Sequence, residues 1–285
     1  MKLCFFNDNR LGLVEANTVY DVSEALRQLP TSGYPYPQTD ALITNLEQLT
    51  PEIIRLREGA SSFPLNEVTL LSPVANPGKI VAAPVNYQAH LDEAIADPAT
   101  FTRANVRKIQ ETGLFLKATS SLIGAGQQVV IGLPERRTDH EIELVAVIGK
   151  RAKNVSARDA LSYVAGYSIG LDITIRGPEE RSLRKSLDTY TVLGPWLVTA
   201  DELSDPHALE MVLDINGEKR QHANTSDLIM DVAELIEFAS QYYTLEPGDL
   251  LFTGTPEGVA PIVAGDRINA RIDNIGQLSV EVVQS

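Results

Sequence analysis

The chain has 285 residues, of which 44% are hydrophobic, and its formal net charge is −14. A chain of this length and composition buries a large core, whereas its negative charge disfavours binding to nucleic acid or to an anionic membrane surface. The single cysteine, Cys4, excludes an intramolecular disulfide and a zinc site built from cysteines. Since no apolar run has the length of a membrane span or of a signal-peptide core, we expect a cytoplasmic protein.

The beginning of the chain is typical of a small separate domain. Residues 3–6 and 12–14 have the pattern of short apolar strands, and residues 21–29 have the capping spacing of a helix. A segment rich in proline and glycine, residues 72–78, interrupts both patterns. We therefore predict a small N-terminal α/β domain at residues 1–75 and a larger domain at residues 76–285.

Beyond this boundary the pattern is mostly that of β-strands. Apolar residues that alternate with polar ones indicate strands with one buried face, and Asn216-Gly217 is typical of a two-residue hairpin turn. Many short strands with regular turns predict a β-rich α+β domain, a sandwich or a rolled barrel, without a glycine-rich phosphate loop. Strands are predicted at residues 79–85, 141–148, 196–199, 209–215, 250–253, 268–272 and 278–282, and helices at 156–164 and 227–241.

Three carboxylates lie in or at the ends of predicted strands. Glu141 and Glu143 are two residues apart, so they project from one face of a strand while Ile142 and Leu144 face the other way. The same alternation is typical of an edge strand whose polar face is in water. Asp172 ends a second apolar strand, where it could instead cap a turn. Three carboxylates brought together would suit a hard cation such as Mg²⁺ or Mn²⁺.

His90 and Glu93 are candidates for acid–base chemistry. If Asn86 caps a helix, they are neighbours three residues apart on one face of that helix. A carboxylate beside an imidazole raises its basicity and fixes its tautomer, as a general base requires. The pattern His-x-x-Glu is short, however, and an exposed surface pair has the same spacing.

Two further segments could bind an anion. Arg176, Arg181, Arg184 and Lys185 cluster around a Gly-Pro loop soon after the third carboxylate, where they could clamp a substrate carboxylate. A solvated charged surface gives the same pattern. The glycine-rich turn at residues 253–258 could hold an anion through its backbone N–H groups, or could be a tight turn and nothing more.

Taken in order, these segments resemble the fumarylacetoacetate hydrolase family over residues 76–285. Each motif is modest alone, but their common order along the chain makes the resemblance specific. The segments that carry it include Asn86-Tyr87-x-x-His90-x-x-Glu93, Phe115-Leu116-Lys117, Glu141-Ile142-Glu143-Leu144, Ala165-Gly166-Tyr167 with Asp172, Lys185-Ser186-Leu187-Asp188-Thr189, Asn216-Gly217-Glu218, Leu245-Glu246-Pro247-Gly248-Asp249 and Phe252-Thr253-Gly254-Thr255-Pro256-Glu257-Gly258.

The resemblance implies a mixed β-sandwich roll as the catalytic domain, usually in a homodimer, with one divalent metal, Mg²⁺ or Mn²⁺. It also implies a role for residues at the matching positions of this sequence. The implied metal ligands are Glu141, Glu143 and Asp172, the water-activating dyad is His90 and Glu93, the group that stabilises developing negative charge is Lys185, and the substrate contacts are Tyr87, Lys117, Arg176, Gly254 and Thr255.

The reaction that the resemblance implies is hydrolysis of the carbon–carbon bond of a 2,4-dioxo acid, an acylpyruvate such as maleylpyruvate or fumarylpyruvate from aromatic catabolism. The bond can break because the departing pyruvate is an enolate stabilised by the metal and by Lys185. The same ligands also suit an oxaloacetate-type decarboxylase or a 2-hydroxyhepta-2,4-diene-1,7-dioate isomerase, and a non-catalytic ligand-binding member is a further alternative. Since only hydrolysis needs an activated water, the dyad favours it.

Three departures from the family pattern concern the substrate. Pro84 stands where many members have glycine, and Arg176-Gly177-Pro178-Glu179 stands where many hydrolases have Arg-Asp-x-Gln, which removes an amide that usually contacts substrate. Residues 92–113 are longer than in compact members, and we predict an enlarged lid there. Its basic residues are Arg103, Arg107 and Lys108.

Overall fold

The structure, a computed structural model, describes residues 1–96, 109–203 and 205–285. The predicted lid therefore falls in large part outside the described residues, as do its basic residues Arg103, Arg107 and Lys108. The strands are Lys2–Phe6 (β1), Arg10–Glu15 (β2), Thr18–Asp21 (β3), Ser62–Pro64 (β4), Leu70–Leu71 (β5), Ile80–Ala82 (β6), Phe115–Lys117 (β7), Leu122–Gly124 (β8), Gln128–Ile131 (β9), Thr138–His140 (β10), Ile142–Ile148 (β11), Val164–Asp172 (β12), Thr174–Ile175 (β13), Thr191–Thr199 (β14), Glu210–Ile215 (β15), Glu218–Asn224 (β16), Leu250–Phe252 (β17), Ala260–Pro261 (β18), Arg267–Ile272 (β19) and Gly276–Gln284 (β20). The α-helices are Ala41–Thr44 (α1), Leu46–Arg57 (α2), Gln88–Ala96 (α3), Ile109–Thr112 (α4), Ala157–Ala160 (α5), Arg181–Arg184 (α6) and Val232–Tyr242 (α7).

A large sheet forms the body of the molecule. Within the described ranges it contains twelve strands, with a main path β4-β3-β2-β1-β14-β12-β11-β17-β6-β7 and with β5 and β8 paired to β1 and β14. β11 lies inside this path and is antiparallel to both β12 and β17. The interpretation of β11 as a solvated edge strand is therefore wrong, because partners distant in the sequence cover both of its edges.

A smaller sheet packs against the large one. The part of the chain that the structure describes gives it five strands, in the order β16-β15-β19-β20-β9. β19 buries Ile268, Ala270 and Ile272 and turns the residues between them toward solvent, as the alternation predicts. The hairpin from β15 to β16 turns at Asn216 and Gly217, whose φ angles of 54° and 84° match the predicted two-residue turn.

β11 is buried along its whole length. Ile142 and Leu144 belong to the core shared with the smaller sheet, whereas Val145 and Val147 belong to a second core shared with the N-terminal segment. Because side chains alternate along a strand, Glu143 lies on the same face as Val145 and Val147. The glutamate therefore projects opposite to Ile142 and Leu144, as predicted.

Strands from both sides of the predicted boundary pair in the large sheet. β1 is antiparallel to β14, with Leu3 opposite Leu197. Leu3 and Phe5 pack in the same core as Ile53 of α2 and Phe252 of β17. The division into domains at residues 1–75 and 76–285 stays a prediction, because pairing within one sheet does not tell whether either part folds alone.

The helices differ from the predicted ones at their ends. α7 begins at Val232 rather than at Asp227, because a capping box fixes its start. In that box Asp231 accepts a bond from the Glu234 N–H at 2.8 Å, and the Glu234 carboxylate accepts one from the Asp231 N–H at 3.0 Å. The predicted helix at residues 21–29 is a 3₁₀ helix, Ser23–Gln28.

Strands provide most of the regular structure, and the fold is the β-rich α+β class that the sequence predicts. Along the chain, the α-helices lie between strands. None of the helices in the described ranges is both long and apolar enough to cross a membrane.

Candidate metal centre and active site

The three carboxylates predicted as metal ligands come together at one end of two neighbouring strands. Glu143 lies in β11 and Asp172 ends β12, and the pairing of these strands sets Ile142 opposite Leu171. The Asp172 N–H also donates to the carbonyl oxygen of Glu141 at 2.9 Å. All three carboxylates are buried, and one oxygen of each lies within 4.8 Å of the other two. We call these residues the carboxylate triad.

Cationic side chains surround the carboxylate triad. Lys185 Nζ donates to Glu141 Oε2 at 2.7 Å and to Asp172, while Lys117 Nζ also donates to Asp172. Arg176 Nη2 donates to Glu141 Oε1 at 2.9 Å. Buried charges are costly unless they are paired and hydrogen-bonded. Three cationic side chains therefore bond to two of the three buried carboxylates, Glu141 and Asp172.

The pKa shifts in the carboxylate triad have opposite directions. Burial and the neighbouring Asp172 carboxylate raise the pKa of Glu143 well above its usual value. Burial acts in the same direction on Glu141, but the charges of Lys185 and Arg176 outweigh it and hold the pKa of Glu141 below its usual range. Three carboxylate oxygens fit a hard divalent cation, which would relieve the repulsion around Glu143.

His90 and Glu93 form a hydrogen-bonded pair on one face of α3. The distance between His90 Nδ1 and Glu93 Oε2 is 2.9 Å. Because the side chain of His90 is only 5% exposed, the interpretation as an exposed surface pair is wrong. Glu93 accepts from the Gly258 N–H and Glu143 accepts from the Gly254 N–H, so the same turn of the chain bonds to the pair and to the carboxylate triad.

The start of α3 is held by a buried asparagine that bonds across the chain. Asn86 Nδ2 donates to the carbonyl oxygens of Met230 and Thr253, each at 2.8 Å, and Asn86 Oδ1 accepts from the Met230 N–H at 2.9 Å. The helix itself begins at Gln88. The side chain of Asn86 is thus used to fix α3 to residues 253–258, which we call the glycine loop, rather than for the predicted cap.

Backbone N–H groups of the glycine loop bind carboxylates of the chain itself. The Gly254 N–H donates to Glu143 Oε2 at 2.7 Å, and the Gly258 N–H donates to Glu93 Oε1 at 3.0 Å. Gly254 has a φ of +100°, and a Cβ there would lie 2.8 Å from the Cβ of Asn86, so this position requires glycine. The predicted anion cradle is therefore filled by a triad residue and by a dyad residue.

The arginines of the predicted basic cluster contact different parts of the protein. Arg176 Nε donates to Asp139 Oδ2 at 2.7 Å, in addition to its bond with the carboxylate triad. Arg184 donates to two backbone carbonyl oxygens, and Arg181 lies over the ring of Phe115, 5.5 Å from the centroid. Arg176 and Arg184 thus bond to the protein, and a joint clamp on a substrate carboxylate stays a prediction.

The other predicted substrate contacts are buried near the site. Lys117 donates to the carboxylate triad and to a backbone carbonyl oxygen. The hydroxyl of Tyr87 donates to Met211 Sδ at 3.3 Å, inside the core. Thr255 Oγ1 accepts from Gln221 Nε2 at 2.8 Å. The contact of each with substrate stays a prediction, as does the direct contact predicted for the glycine loop.

Residues that hold the predicted ones in place were missed by sequence reasoning. Asp139 is fully buried and accepts bonds from two arginines, one of which is Arg176. Its signal was present, because Asp139, Glu141 and Glu143 follow one another at a spacing of two residues. Gln221 gave no signal, since it is an amide in a strand whose neighbouring residues are exposed.

Comparison with known proteins agrees with this geometry. Residues 79–283 match the family model of the fumarylacetoacetate (FAA) hydrolase C-terminal domain. The chain is 55% identical over 284 residues to maleylpyruvate hydrolase of Aquipseudomonas alcaligenes, with 99% of each chain covered. It is 36% identical over 234 residues to the mitochondrial oxaloacetate tautomerase FAHD2A of Homo sapiens, with 78% of this chain and 71% of that protein covered.

A solved structure adds information about the site. The crystal structure of maleylpyruvate hydrolase from Sphingobium sp. SYK-6 in complex with manganese(II) ion and pyruvate is 40% identical to this chain, with a TM-score of 0.85 and 100% of both chains covered. Both the sequence matches and the fold extend through the strands that carry the carboxylate triad. The chain therefore belongs to the fumarylacetoacetate hydrolase family.

Proposed function

We propose that the protein is a divalent-metal-dependent hydrolase that cleaves the carbon–carbon bond of an acylpyruvate, with maleylpyruvate as the first candidate. The observation that carries this proposal is the buried His90–Glu93 pair beside the carboxylate triad, because hydrolysis consumes an activated water. The 55% identity to a maleylpyruvate hydrolase supports the substrate class.

The carboxylate triad is the proposed metal site. A Mn²⁺ or Mg²⁺ ion held there would supply Lewis-acid polarisation of the 2-oxo group of the substrate. The manganese ion of the related maleylpyruvate hydrolase structure supports this choice of cofactor. The three proposed ligands, Glu141, Glu143 and Asp172, offer carboxylate oxygens alone, which both ions accept.

His90 is the proposed general base. Its Nδ1 binds Glu93, which keeps a ring proton on that nitrogen, and Nε2 is the atom proposed to take a proton from water. Glu93 then stabilises the imidazolium, and the bond from Gly258 keeps the carboxylate aligned. The hydroxide adds to the carbonyl carbon distal to the pyruvate unit, and the carbon–carbon bond breaks with its electron pair on pyruvate. The proton held by His90 returns to the products, which balances the reaction.

Lys185 is proposed to stabilise the negative charge that develops on the departing pyruvate. Its ammonium bonds to Glu141 and Asp172 and is therefore adjacent to the proposed metal ligands. Thr174 Oγ1 accepts a third bond from Lys185 at 2.7 Å, and the three bonds together fix the position of the ammonium group. A fixed positive charge beside the place where opposite charge develops lowers the barrier without further reorganisation.

The direct test offers the purified protein a panel of acids with Mn²⁺, with Mg²⁺ and with a chelator. The panel contains maleylpyruvate, fumarylpyruvate, oxaloacetate and 2-hydroxyhepta-2,4-diene-1,7-dioate, and products are identified by proton NMR. We expect metal-dependent release of pyruvate together with maleate or fumarate. Turnover of oxaloacetate or of the dienoate alone would contradict the hydrolase proposal and favour the chemistry of the oxaloacetate tautomerases to which the chain is also similar.

We further propose that the protein is a homodimer that acts in the cytoplasm on a small anionic keto acid, without a nucleic-acid or membrane partner. The family resemblance supports the dimer, and the net charge of −14 disfavours polyanionic partners. Light scattering should give a mass of twice 31.1 kDa. A single-chain mass at all protein concentrations would contradict the dimer.

A further inference from the structure

One buried amide connects the strand of the carboxylate triad to the glycine loop. Gln221 is the single fully buried side chain of β16 in the described chain, and only 1% of it is exposed. Its Oε1 accepts from the Ile142 N–H at 3.1 Å, between the two glutamates of the carboxylate triad. Its Nε2 donates to Thr255 Oγ1 at 2.8 Å and to the Pro256 carbonyl oxygen at 2.9 Å, both in the glycine loop.

The backbone partners determine which way this amide points. A backbone N–H such as that of Ile142 can only donate, so the atom of Gln221 that faces it is the oxygen. A backbone carbonyl such as that of Pro256 can only accept, so the atom that faces it is the nitrogen. The orientation of Gln221 therefore follows from the two backbone bonds, and it does not depend on Thr255 or on His140.

The fixed amide in turn determines the direction of the Thr255 hydroxyl. Because Gln221 donates to Thr255 Oγ1, the hydroxyl proton of Thr255 must be given to another acceptor. Thr255 is 3% exposed, and within the described residues its hydroxyl donates to no other group. A buried hydroxyl that keeps its donor unused is suited to a ligand with an acceptor oxygen.

The same amide fixes a buried histidine. His140 Nδ1 lies 3.0 Å from Gln221 Oε1, which can only accept, so Nδ1 carries the proton. The ring of His140 is fully buried. Its Nε2 is buried and has no hydrogen-bond partner in the described part of the chain. The tautomer of His140 is therefore a reporter of the orientation of Gln221.

We propose that Gln221 is a positioning residue for substrate binding, which acts through Thr255 by turning the hydroxyl proton of Thr255 toward a carboxylate of the substrate. This inference rests on the proposed function for the identity of the substrate. It adds to that function a residue outside the proposed catalytic and metal-binding groups. Gln221 touches neither substrate nor metal, and its effect reaches them through the glycine loop.

A double-mutant cycle tests whether Gln221 acts through Thr255. Gln221→Met keeps the length of the side chain but removes the donor, so the hydroxyl loses its imposed direction. Loss of an oriented hydrogen bond to a charged group weakens binding, so we expect KM for maleylpyruvate to rise about tenfold while kcat stays within about threefold. In the Thr255→Val background the same change should raise KM less than about twofold. Equal fold-changes in both backgrounds would overturn the proposal.

Two further variants separate positioning from folding. Gln221→Glu keeps the acceptor for the Ile142 N–H but offers Thr255 an acceptor, so the hydroxyl proton turns back toward the protein. KM should then rise about tenfold, as in Gln221→Met. Gln277→Met, at an exposed site of β20, is the matched control and should leave KM unchanged. A Gln221→Glu variant that folds, as shown by its melting curve, and keeps the KM of the wild type would overturn the proposal.

A measurement without turnover keeps this inference separate from the proposed function. Side-chain ¹⁵N NMR of the wild-type protein, with His140→Gln to assign the signal, should show His140 protonated on Nδ1. In Gln221→Met this preference should be lost. If maleylpyruvate is not turned over but His140 has the Nδ1–H tautomer, the proposed function fails and the orientation of Gln221 stands. If His140 is protonated on Nε2, the proposed orientation is wrong whatever the substrate.

Discussion

Polar and apolar residues alternate in β19 and at the start of β11, in residues 141–144, but the two segments meet solvent in different ways. In β19 the polar residues Arg267 and Arg271 face water, and the apolar residues between them fill a core. In β11 every side chain is buried, and Glu143 faces the inside together with valines. Residues 141–144 alternate as β19 does, but burying their carboxylates costs free energy, whereas exposing the arginines of β19 does not.

The difference between these strands lies in their partners. The outward face of β19 needs no partner because water solvates it. The carboxylates beside β11 have protein partners instead: Lys185 and Arg176 bond to Glu141, which precedes the strand. Within the strand, Glu143 accepts from the Gly254 N–H. A strand that buries carboxylates at this cost holds them ready for a cation, and β19, which buries none, has no comparable site.

Glu143→Gln gives the largest effect that we expect. The neutral amide keeps the volume of the side chain and can still accept the Gly254 N–H, but it removes an anionic ligand from the carboxylate triad. Loss of one ligand should lower Mn²⁺-dependent turnover by at least about 10²-fold, and calorimetry should show weaker Mn²⁺ binding.

The stability of the metal-free variant sharpens the comparison. Because Glu143 is repelled by two buried carboxylates, its neutralisation should leave the melting temperature unchanged or higher. Glu218→Gln, at an exposed site of β16, is the control and should change neither the melting temperature nor the Mn²⁺ affinity. Unchanged Mn²⁺ affinity in a folded Glu143→Gln protein would remove Glu143 from the proposed metal ligands.

His90→Ala should give the next largest effect. Without the imidazole no group takes the proton from water, so kcat should fall by about 10²-fold or more while Mn²⁺ affinity stays unchanged. The matched control is His222→Ala, because His222 also lies beside a glutamate, at 3.2 Å from Glu210, but is 50% exposed. Equal kinetics for wild type and His90→Ala would show that another group activates the water.

Much of the fold could be predicted from local patterns. Alternation predicted the strands β15 and β19, and Asn216-Gly217 predicted the hairpin; the structure contains all three. These predictions succeed because a strand with one face in water alternates apolar and polar residues. Helix ends were less predictable. The start of α7 depends on which acidic residue forms the capping box, and Asp227 and Asp231 offer two choices.

The carboxylate triad was predicted from spacing and from the family resemblance, but its environment was not. Spacing shows that two glutamates share a face, and it does not show whether that face is wet, because β11 is covered by strands whose residues are distant in the sequence. The bond from Gln221 to Thr255 joins residues 34 positions apart, in segments with no shared motif. Such contacts are set by the packing of sheets, which a local pattern does not record.

Asp139→Asn should have a smaller effect on the metal. Asp139 accepts from Arg137 and Arg176, and Arg176 in turn bonds to Glu141, so the change disturbs a proposed ligand only through its neighbour. A partner behind a metal ligand typically contributes 10–100-fold in affinity, and we expect Mn²⁺ binding to weaken about tenfold. Asp273→Asn, which loses an exposed bond to an arginine, is the control. Unchanged Mn²⁺ affinity in folded Asp139→Asn would show that Arg176 is held without Asp139.

Arg271→Gln should have the smallest effect and tests the other side of the comparison. Arg271 is 46% exposed and bonds to Glu210 and Asp273 in water, so its loss should change the free energy of unfolding by less than about 0.5 kcal/mol and leave turnover unchanged. Ile272→Ala, one residue along the same strand but fully buried, should cost about 2–5 kcal/mol. Urea unfolding of both variants measures the contrast. If Arg271→Gln were as destabilising as Ile272→Ala, the polar face of β19 would contribute to stability as a buried face does. Solvation would then not explain how it differs from the buried carboxylates at the start of β11.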